Sequence, residues 1–268
     1  MTTTKLNKAQ IDQANLANLM SLWQCYGVEH GKKIRQYQLN NSQHWPHRVW
    51  LSKKEDPTHS TSTPLASCQL NNSMQLLPSG SIFPVWPSDI IKESDYACLS
   101  TLNAVNQYVS QHWALHFQQT AMYLPLNHPL KLPKCNNALN IKSISTDNDI
   151  KQWVGIGSQA FGYDINFQVI QQLRRNSAIH LLLAWLDQTP VACGLLYQTD
   201  KVIGIHQVAI APKYQGQGLA KQLMVEMINR CFELGGNYVV LQASSAGKPL
   251  YQKLGFHEQF IIDNYQLV

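Results

Sequence analysis

Apolar side chains recur along this chain at two spacings, and the spacing predicts the type of each element. Segments with an apolar residue at every third or fourth position have one apolar face and are predicted as helices. These helices are Ala9–Tyr26, Tyr96–Gln118, Asp147–Phe161, Asn166–Arg175 and Gly218–Leu234. Segments that alternate, or that are continuously apolar, are predicted as strands. These strands are His47–Ser52, Leu65–Leu70, short runs within Gln75–Trp86, Ala121–Leu126, Leu139–Ser145, His180–Trp185, Val191–Tyr197, Lys201–Ile210 and Tyr238–Leu241.

A polar segment near the middle of the chain, Asn127–Ala138, contains two prolines and alternates only weakly, which is typical of a linker. It divides the chain into residues 1–126, predicted as an N-terminal α/β domain, a linker at 127–138, and a second domain at 139–268. In the second domain, the short turns Asp187–Pro190 and Thr199–Asp200 predict antiparallel hairpins.

A glycine-containing turn joins the predicted strand Lys201–Ile210 to the helix that follows it. Pro212 ends the strand because it has no N–H to donate, and Gln215–Ala220 (QGQGLA) leads into the helix. Glycines let the backbone approach a phosphate, and the first N–H groups of a helix have no intrahelical partner. The order of strand, glycine turn and helix therefore predicts an anion site. A dinucleotide fingerprint is excluded because Lys221 stands where its last glycine or alanine is needed.

Two motifs in the second half resemble the GNAT superfamily of acyl-CoA-dependent N-acetyltransferases. Gln215-x-x-Gly218-x-Ala220, after a strand ending in proline, is similar to motif A of that superfamily, and Leu250-Tyr251-x-x-x-Gly255-Phe256 is similar to its motif B. The resemblance covers Leu139–Val268. It implies an α/β (α+β) fold with a GNAT-like mixed, mostly antiparallel sheet flanked by helices.

The resemblance also implies acetyl-CoA (coenzyme A) as the cofactor and assigns residues to it. Backbone groups of Val208, Ala209 and Ile210 are expected to bind the pantetheine arm, with the N–H nearest Val208 as the oxyanion donor. Pyrophosphate is expected on the amides of the turn and of the first helical residues, which are Gln215, Gly216, Gln217, Gly218, Leu219, Ala220 and Lys221. Lys221 adds a charge contact there or is a solvated helix lysine.

Tyr251 is the implied general acid. A tyrosine hydroxyl, with a pKa of about 10, can protonate the departing CoA thiolate if it is held within hydrogen-bond reach. The alternative is that Tyr251 only packs on the pantetheine arm. Ser244 stands where many relatives have asparagine, and its shorter side chain reaches less far toward the cofactor.

The general base is the least defined part of the expected site. Many relatives carry a glutamate on the strand before the glycine turn, but that position is Gly204 here. His206 is predicted on the same strand face, two residues on, and its unperturbed pKa suits a base near neutrality. The alternatives are a buried, hydrogen-bonded histidine, a water molecule as the base, or no base at all.

Composition limits the partners. The chain has 268 residues, of which 14% are charged, and a net charge of +5 without a basic stripe, so nucleic acid is not expected. No apolar segment approaches the length of a membrane span, so no membrane partner is expected. Six cysteines without a CxxC pair indicate reduced thiols in a cytoplasmic protein, and no metal site is predicted.

The function expected from the resemblance is transfer of an acetyl group from acetyl-CoA to a primary amine of a small molecule or peptide. The alternative is a catalytically weak CoA-binding regulatory or scaffold protein. Phe161–Phe167 (FGYDINF) is expected to line the acceptor pocket, and Asp164 either pairs with a cationic amine or is an exposed turn residue. Residues 1–126 are expected to form a degenerate, GNAT-like half that binds no CoA and either walls the acceptor pocket or forms a homodimer contact.

Overall fold

The computed structural model describes residues 5–34, 37–42, 44–53, 72–74, 76–90, 96–133 and 138–268. The helices are α1 (Lys8–Cys25), α2 (Tyr96–His112), α3 (Asp147–Phe161), α4 (Phe167–Leu173), α5 (Leu219–Glu233) and α6 (Lys248–Lys253). The strands are β1 (Glu29–Ile34), β2 (Tyr37–Asn41), β3 (Val49–Lys53), β4 (Ile82–Val85), β5 (Ala114–Pro125), β6 (Asn140–Ser143), β7 (Ile179–Leu186), β8 (Thr189–Thr199), β9 (Val202–Ile210), β10 (Tyr238–Ala243) and β11 (His257–Gln266).

Two sheets organise the molecule. A small antiparallel sheet has the order β1-β2-β3, and a large sheet has the order β4-β11-β5-β10-β9-β8-β7-β6. All neighbours in the large sheet are antiparallel except β9 and β10, which run parallel. The predicted fold class, a mixed and mostly antiparallel sheet flanked by helices, is therefore confirmed.

Strand β5 lies between β10 and β11 in the sheet, although it precedes both of them in the sequence by more than a hundred residues. It pairs with β10 from Tyr238↔Pro125 to Ala243↔Thr120, and with β11 along its other edge. Strand β4 pairs with β11 as well. Residues 1–126 thus form the small sheet β1-β2-β3 and also contribute β4 and β5 to the sheet of the second half.

Helices cover both faces of the large sheet, and strand alternation supplies the two cores. Leu183 and Leu195 pack with α1, α3 and α4, whereas Leu182 and Leu196 pack with α5. Adjacent residues of one strand thus enter opposite cores, as the two-residue period of a strand requires. This explains why β7 and β8 are continuously apolar: both of their faces are buried.

Two predicted boundaries near the middle of the chain are wrong. The helix predicted over Tyr96–Gln118 ends at His112, and β5 begins at Ala114 rather than at Ala121. Trp113 and Phe117 continue the helical spacing by chance. Trp113 packs edge-on against Phe83, with 6.2 Å between ring centroids, and the residues after it alternate as a strand.

The predictions for residues 28–90 were the least accurate. Strands β1 and β2 were not predicted, and within Gln75–Trp86 only Ile82–Val85 is a strand. The strand predicted at Leu65–Leu70 lies outside the described residues.

The segment predicted as a linker is anchored to the second half. Residues 129–133 have no regular structure. Leu130 is held by Asn229 of α5, whose side chain accepts from the Leu130 N–H at 2.7 Å and donates to its carbonyl at 3.0 Å. Gln222 of the same helix is buried, and its Oε1 accepts from the Leu139 N–H at 3.3 Å.

Candidate active site

A cleft opens between β9 and β10 at their C-terminal ends. Both strands are fully described, and their pairing runs only from Val202↔Tyr238 to Gly204↔Val240. Beyond these residues β9 stays paired with β8 and β10 stays paired with β5, but β9 and β10 are no longer paired with each other. The two parallel strands therefore diverge. The residues expected to bind pantetheine, Val208 to Ile210, lie on the diverging part of β9.

A bulge interrupts β9 inside this cleft. Cys193 of β8 faces Ala209, but Leu195 faces His206, so β9 has one residue more than β8 between these pairs. Gln207 takes up the extra length with a left-handed backbone, φ 52°. A bulge leaves a residue outside the ladder of strand hydrogen bonds. The N–H nearest Val208, which is the expected oxyanion donor, therefore lies next to the bulge.

The glycine turn forms an exposed helix N-terminus. Gly218 is the N-cap of α5 with φ 78°, and no side chain of the described residues caps it. Gly216 also has positive φ, and open space surrounds the Cβ position of both glycines. Gln215 ties the turn to the end of β9 by donating from Nε2 to the Ile210 carbonyl at 3.1 Å. Uncapped N–H groups, two glycines and room for a ligand fit a pyrophosphate, and Lys221 is exposed in the first turn.

Tyr251 and Ser244 lie together beyond the end of β10. A Cβ on Gly247 would lie 3.1 Å from Tyr251 Cε2 and 3.3 Å from Ser244 Oγ, so both side chains approach this glycine. The Tyr251 ring packs edge-on against Phe256. Burial raises the pKa of Tyr251 to about 12, which keeps its hydroxyl protonated at neutral pH. Ser244 Oγ accepts from the Gly247 N–H at 3.2 Å and so stabilises the turn before α6.

His206 is buried beneath α1. Its Nε2 is 3.0 Å from Asn18 Oδ1, and it lies on the same strand face as Gly204, as predicted. Burial lowers its pKa to about 4. The reason for choosing His206 as a base, a pKa near neutrality, therefore does not hold in the folded protein.

A network of polar side chains continues from His206 along α1. Gln242 of β10 donates from Nε2 to Asn15 Oδ1 at 2.6 Å, and Asn15 donates to Gln259 Oε1 at 2.5 Å. Gln259 in turn donates to Asp12 at 2.6 Å. The sequence analysis did not identify this network. A signal was present, since Asp12, Asn15 and Asn18 are spaced by three and form a polar stripe on α1.

The segment expected to line the acceptor pocket lies on the α1 side of the sheet. Tyr163 stacks on Phe161 with 5.5 Å between ring centroids, and its hydroxyl interacts with the side chain of Gln207 at the bulge. Asp164 is exposed, and Phe167 packs on the core. A cavity of about 490 Å³ adjoins this segment and is lined by Tyr26, Gly27, Val28, His44, Asn166, Gln168, Val169 and Gln172.

Other kinds of site are not found in the described part of the chain. Within those residues, no three His, Cys, Asp or Glu side chains are grouped so that they could hold a metal ion. None of the described helices combines the length and the apolarity that crossing a membrane requires.

Comparison with known proteins identifies a similar family and similar folds. Residues 148–256 match the family described as Acetyltransferase (GNAT) family. The fold is similar to that of a GCN5-related N-acetyltransferase from Kribbella flavida, with a TM-score of 0.64 and 12% identity over 98% of this chain and 96% of that chain. It is also similar to a GCN5-related N-acetyltransferase from Sphaerobacter thermophilus, with a TM-score of 0.53 and 20% identity over 73% of this chain and 62% of that chain. At these identities the likeness concerns the fold, and no curated protein matches the chain significantly.

Proposed function

We propose that this protein transfers an acetyl group from acetyl-CoA to a primary amine by direct attack in a ternary complex, because residues 148–256 match the Acetyltransferase (GNAT) family. The observation that carries the proposal is the divergence of β9 and β10. The bulge lies in the diverging part of β9, the glycine turn comes after β9, and Tyr251 comes after β10. A donor and an acceptor held together in this cleft would react as if in one molecule, which can supply much of the rate.

Acetyl-CoA, when bound, supplies the acyl group as a thioester. The turn from Gln215 to Lys221 would hold its pyrophosphate through the amides of Gly216 to Ala220, since the N–H groups of Gln215 and Lys221 donate to backbone carbonyls. The diverging backbone from Val208 to Ile210 would hold its pantetheine arm. Ser244 Oγ accepts from the Gly247 N–H, which stabilises the turn and leaves the hydroxyl proton free to be donated to the cofactor. The N–H nearest Val208 would then stabilise the negative charge that develops on the carbonyl oxygen.

Tyr251 is the residue that delivers a proton. Its raised pKa keeps the hydroxyl protonated, so it can donate to the departing sulfur. His206 is a poor proton acceptor for an ammonium group because its pKa is about 4. We therefore assign no side chain as the base: the acceptor attacks in its neutral form and releases its second proton to water.

A second candidate function is a catalytically weak CoA-binding regulatory or scaffold protein. Its support is specific: Gly204 occupies the position at which many relatives carry glutamate, and His206 does not titrate near neutral pH. Both functions include acetyl-CoA binding, so they differ only in turnover.

The deciding experiment combines acetyl-CoA with a panel of small-molecule and peptide amines. Release of the CoA thiol and the mass of the product are followed together. An amine-dependent release that yields the acetylated amine supports the enzyme. Calorimetric binding of acetyl-CoA without any amine-dependent release supports the second candidate, and failure to bind acetyl-CoA contradicts both.

A further inference from the structure

Arg48 is a partly buried cation without a carboxylate partner in the described residues. It lies just before β3, and its Nη1 donates to Asn264 Oδ1 at 2.6 Å. The guanidinium carbon is 5.8 Å from the centroid of the Trp23 ring and 5.4 Å from that of Phe117. Among the residues that the structure describes, no carboxylate pairs with Arg48. Burial lowers its pKa to about 10, so the guanidinium is still charged at neutral pH.

The neighbouring tyrosines do not neutralise this charge. Tyr26 and Tyr163 interact electrostatically with Arg48, but burial raises the pKa of each above its ordinary value. Both hydroxyls are therefore neutral at physiological pH. A partly desolvated cation whose neighbours are aromatic rings, an amide and neutral hydroxyls has no counter-charge, and a bound anion would supply one.

Gln207 presents an unpaired acceptor close to the same tyrosine. Its Oε1 is buried and has no hydrogen-bond partner within the described part of the chain. The Gln207 side chain interacts with the Tyr163 hydroxyl, and the residue itself is the bulge of β9. A buried amide oxygen without a donor is rare in folded proteins and fits a ligand N–H. Tyr163 thus connects an unpaired acceptor in the cleft to the unpaired cation.

We propose that the acceptor of this protein is an amine that also carries a carboxylate, with the carboxylate held by Arg48 and the amine N–H donated to Gln207 Oε1. This deepens the function proposed above and rests on it. The anion is a carboxylate rather than a phosphate because one guanidinium with aromatic neighbours neutralises one negative charge, and a second would remain buried and unpaired. Guanidinium and carboxylate also match in their paired hydrogen bonds.

The test uses pairs of amines that differ only in the carboxylate. Phenylalanine is compared with phenylalaninamide, 4-aminobutanoate with 4-aminobutanamide, and a dipeptide with its C-terminal amide. For each, kcat and KM are measured with acetyl-CoA, and the melting temperature is measured without it. We expect at least one carboxylate member to have a KM roughly 10- to 100-fold below that of its amide, the range for a charge-assisted hydrogen bond. Such a member should also raise the melting temperature more than its amide does.

Variants locate the effect at Arg48. Arg48→Gln should equalise the two members of a pair, and Arg48→Lys should restore part of the preference because it keeps the charge without the planar geometry. The control is Lys142→Gln, which removes one exposed positive charge from β6 at the far edge of the sheet and should leave the preference unchanged.

Each outcome decides the inference. Equal KM values within every wild-type pair, or a preference for the amides, overturn it while leaving the acetyltransferase function intact. If no amine is acetylated, the proposed function fails, and the melting temperatures decide whether Arg48 binds carboxylates. If Arg48→Gln does not fold, the wild-type pairs alone decide.

Discussion

His206 Nε2 lies 3.0 Å from Asn18 Oδ1, and the backbone of Gly204 runs directly beneath this contact. A Cβ on Gly204 would overlap both atoms. Glycine is therefore required here by the packing of α1 on β9. A glutamate at this position, which the resemblance to the GNAT superfamily would lead one to expect, has no room beside Asn18 because α1 covers the sheet here.

Gly204→Ala should destabilise the protein by roughly 1–3 kcal/mol, because the new methyl group displaces two buried, hydrogen-bonded side chains. The measurement is the urea midpoint of unfolding. Gly155→Ala in α3 is the matched control, since nothing lies within 4 Å of its Cβ position. Alanine in that helix should stabilise by up to about 1 kcal/mol. Equal urea midpoints for the two variants would contradict the claim that packing requires glycine at position 204.

His206 should make the protein less stable in mild acid. Its pKa falls from 6.5 to about 4 on folding, so the unfolded chain binds a proton that the folded chain does not. Stability is then fully present above pH 6.5 and is lost as the pH falls toward 4, by at most about 3 kcal/mol. His206→Gln should flatten this part of the stability curve. His128→Gln, which removes an exposed histidine, should not.

Gly218→Glu should weaken acetyl-CoA binding roughly 100-fold or more, because its carboxylate would stand at the amides proposed to hold the pyrophosphate. Calorimetry measures the affinity. Gly235→Glu is the control, since Gly235 has the same backbone conformation, φ 76° against 78°, just beyond the other end of α5. An unchanged affinity in Gly218→Glu would remove the phosphate site from this turn.

Tyr251→Phe should lower kcat roughly 100-fold or more with nearly unchanged CoA affinity, because only the hydroxyl is lost and the ring still packs on Phe256. Since its pKa is about 12, wild-type kcat should not fall at the pH where a free tyrosine ionises. Tyr265→Phe, on β11 outside the cleft, serves as the control. Equal kcat values for wild type and Tyr251→Phe would leave the ring with a packing role only.

Residues 1–126 and 127–268, expressed together as two chains, should associate and retain activity. Strand β5 pairs along both edges, so its contacts do not depend on the exposed connection at Asn127. Residues 127–268 alone should not unfold cooperatively, because removing β5 leaves the facing edges of β10 and β11 unpaired. A cooperatively folded, active fragment 127–268 would show that β5 is dispensable.

The elements that could be predicted from sequence are those with local signals. Helix α3 begins and ends where predicted because Thr146 caps it, accepting from the Asp149 N–H at 3.1 Å, and Gly162 ends it with a left-handed backbone. The place of β5 could not be predicted, because its alternation says nothing about partners in the second half. The apolar residues Leu102, Val105, Val109 and Trp113, which precede Phe117, are spaced by three or four. This spacing favoured a helix over a strand at the start of β5.

The candidate site divides in the same way. The glycine turn and Tyr251 belong to short motifs whose spacing is visible in the sequence. Arg48 and Gln207 belong to no motif, and they lie far apart in the sequence, just before β3 and at the bulge of β9. The environment of His206 was misjudged for the same reason: its pKa depends on burial beneath α1, which lies 188 residues away along the chain.

The position of β5 also sets an order on folding. During synthesis β5 leaves the ribosome well before either neighbour exists, since its residues Thr120 and Pro125 await Ala243 and Tyr238. Contacts of such high sequence separation slow folding, and an unpaired strand with two free edges is prone to pair with other chains in the meantime. Strand β5, which supports the cleft by pairing with β10, can pair there only after β10 has been made. Production of active protein should therefore depend on chaperones and low temperature more than the compactness of the finished sheet suggests.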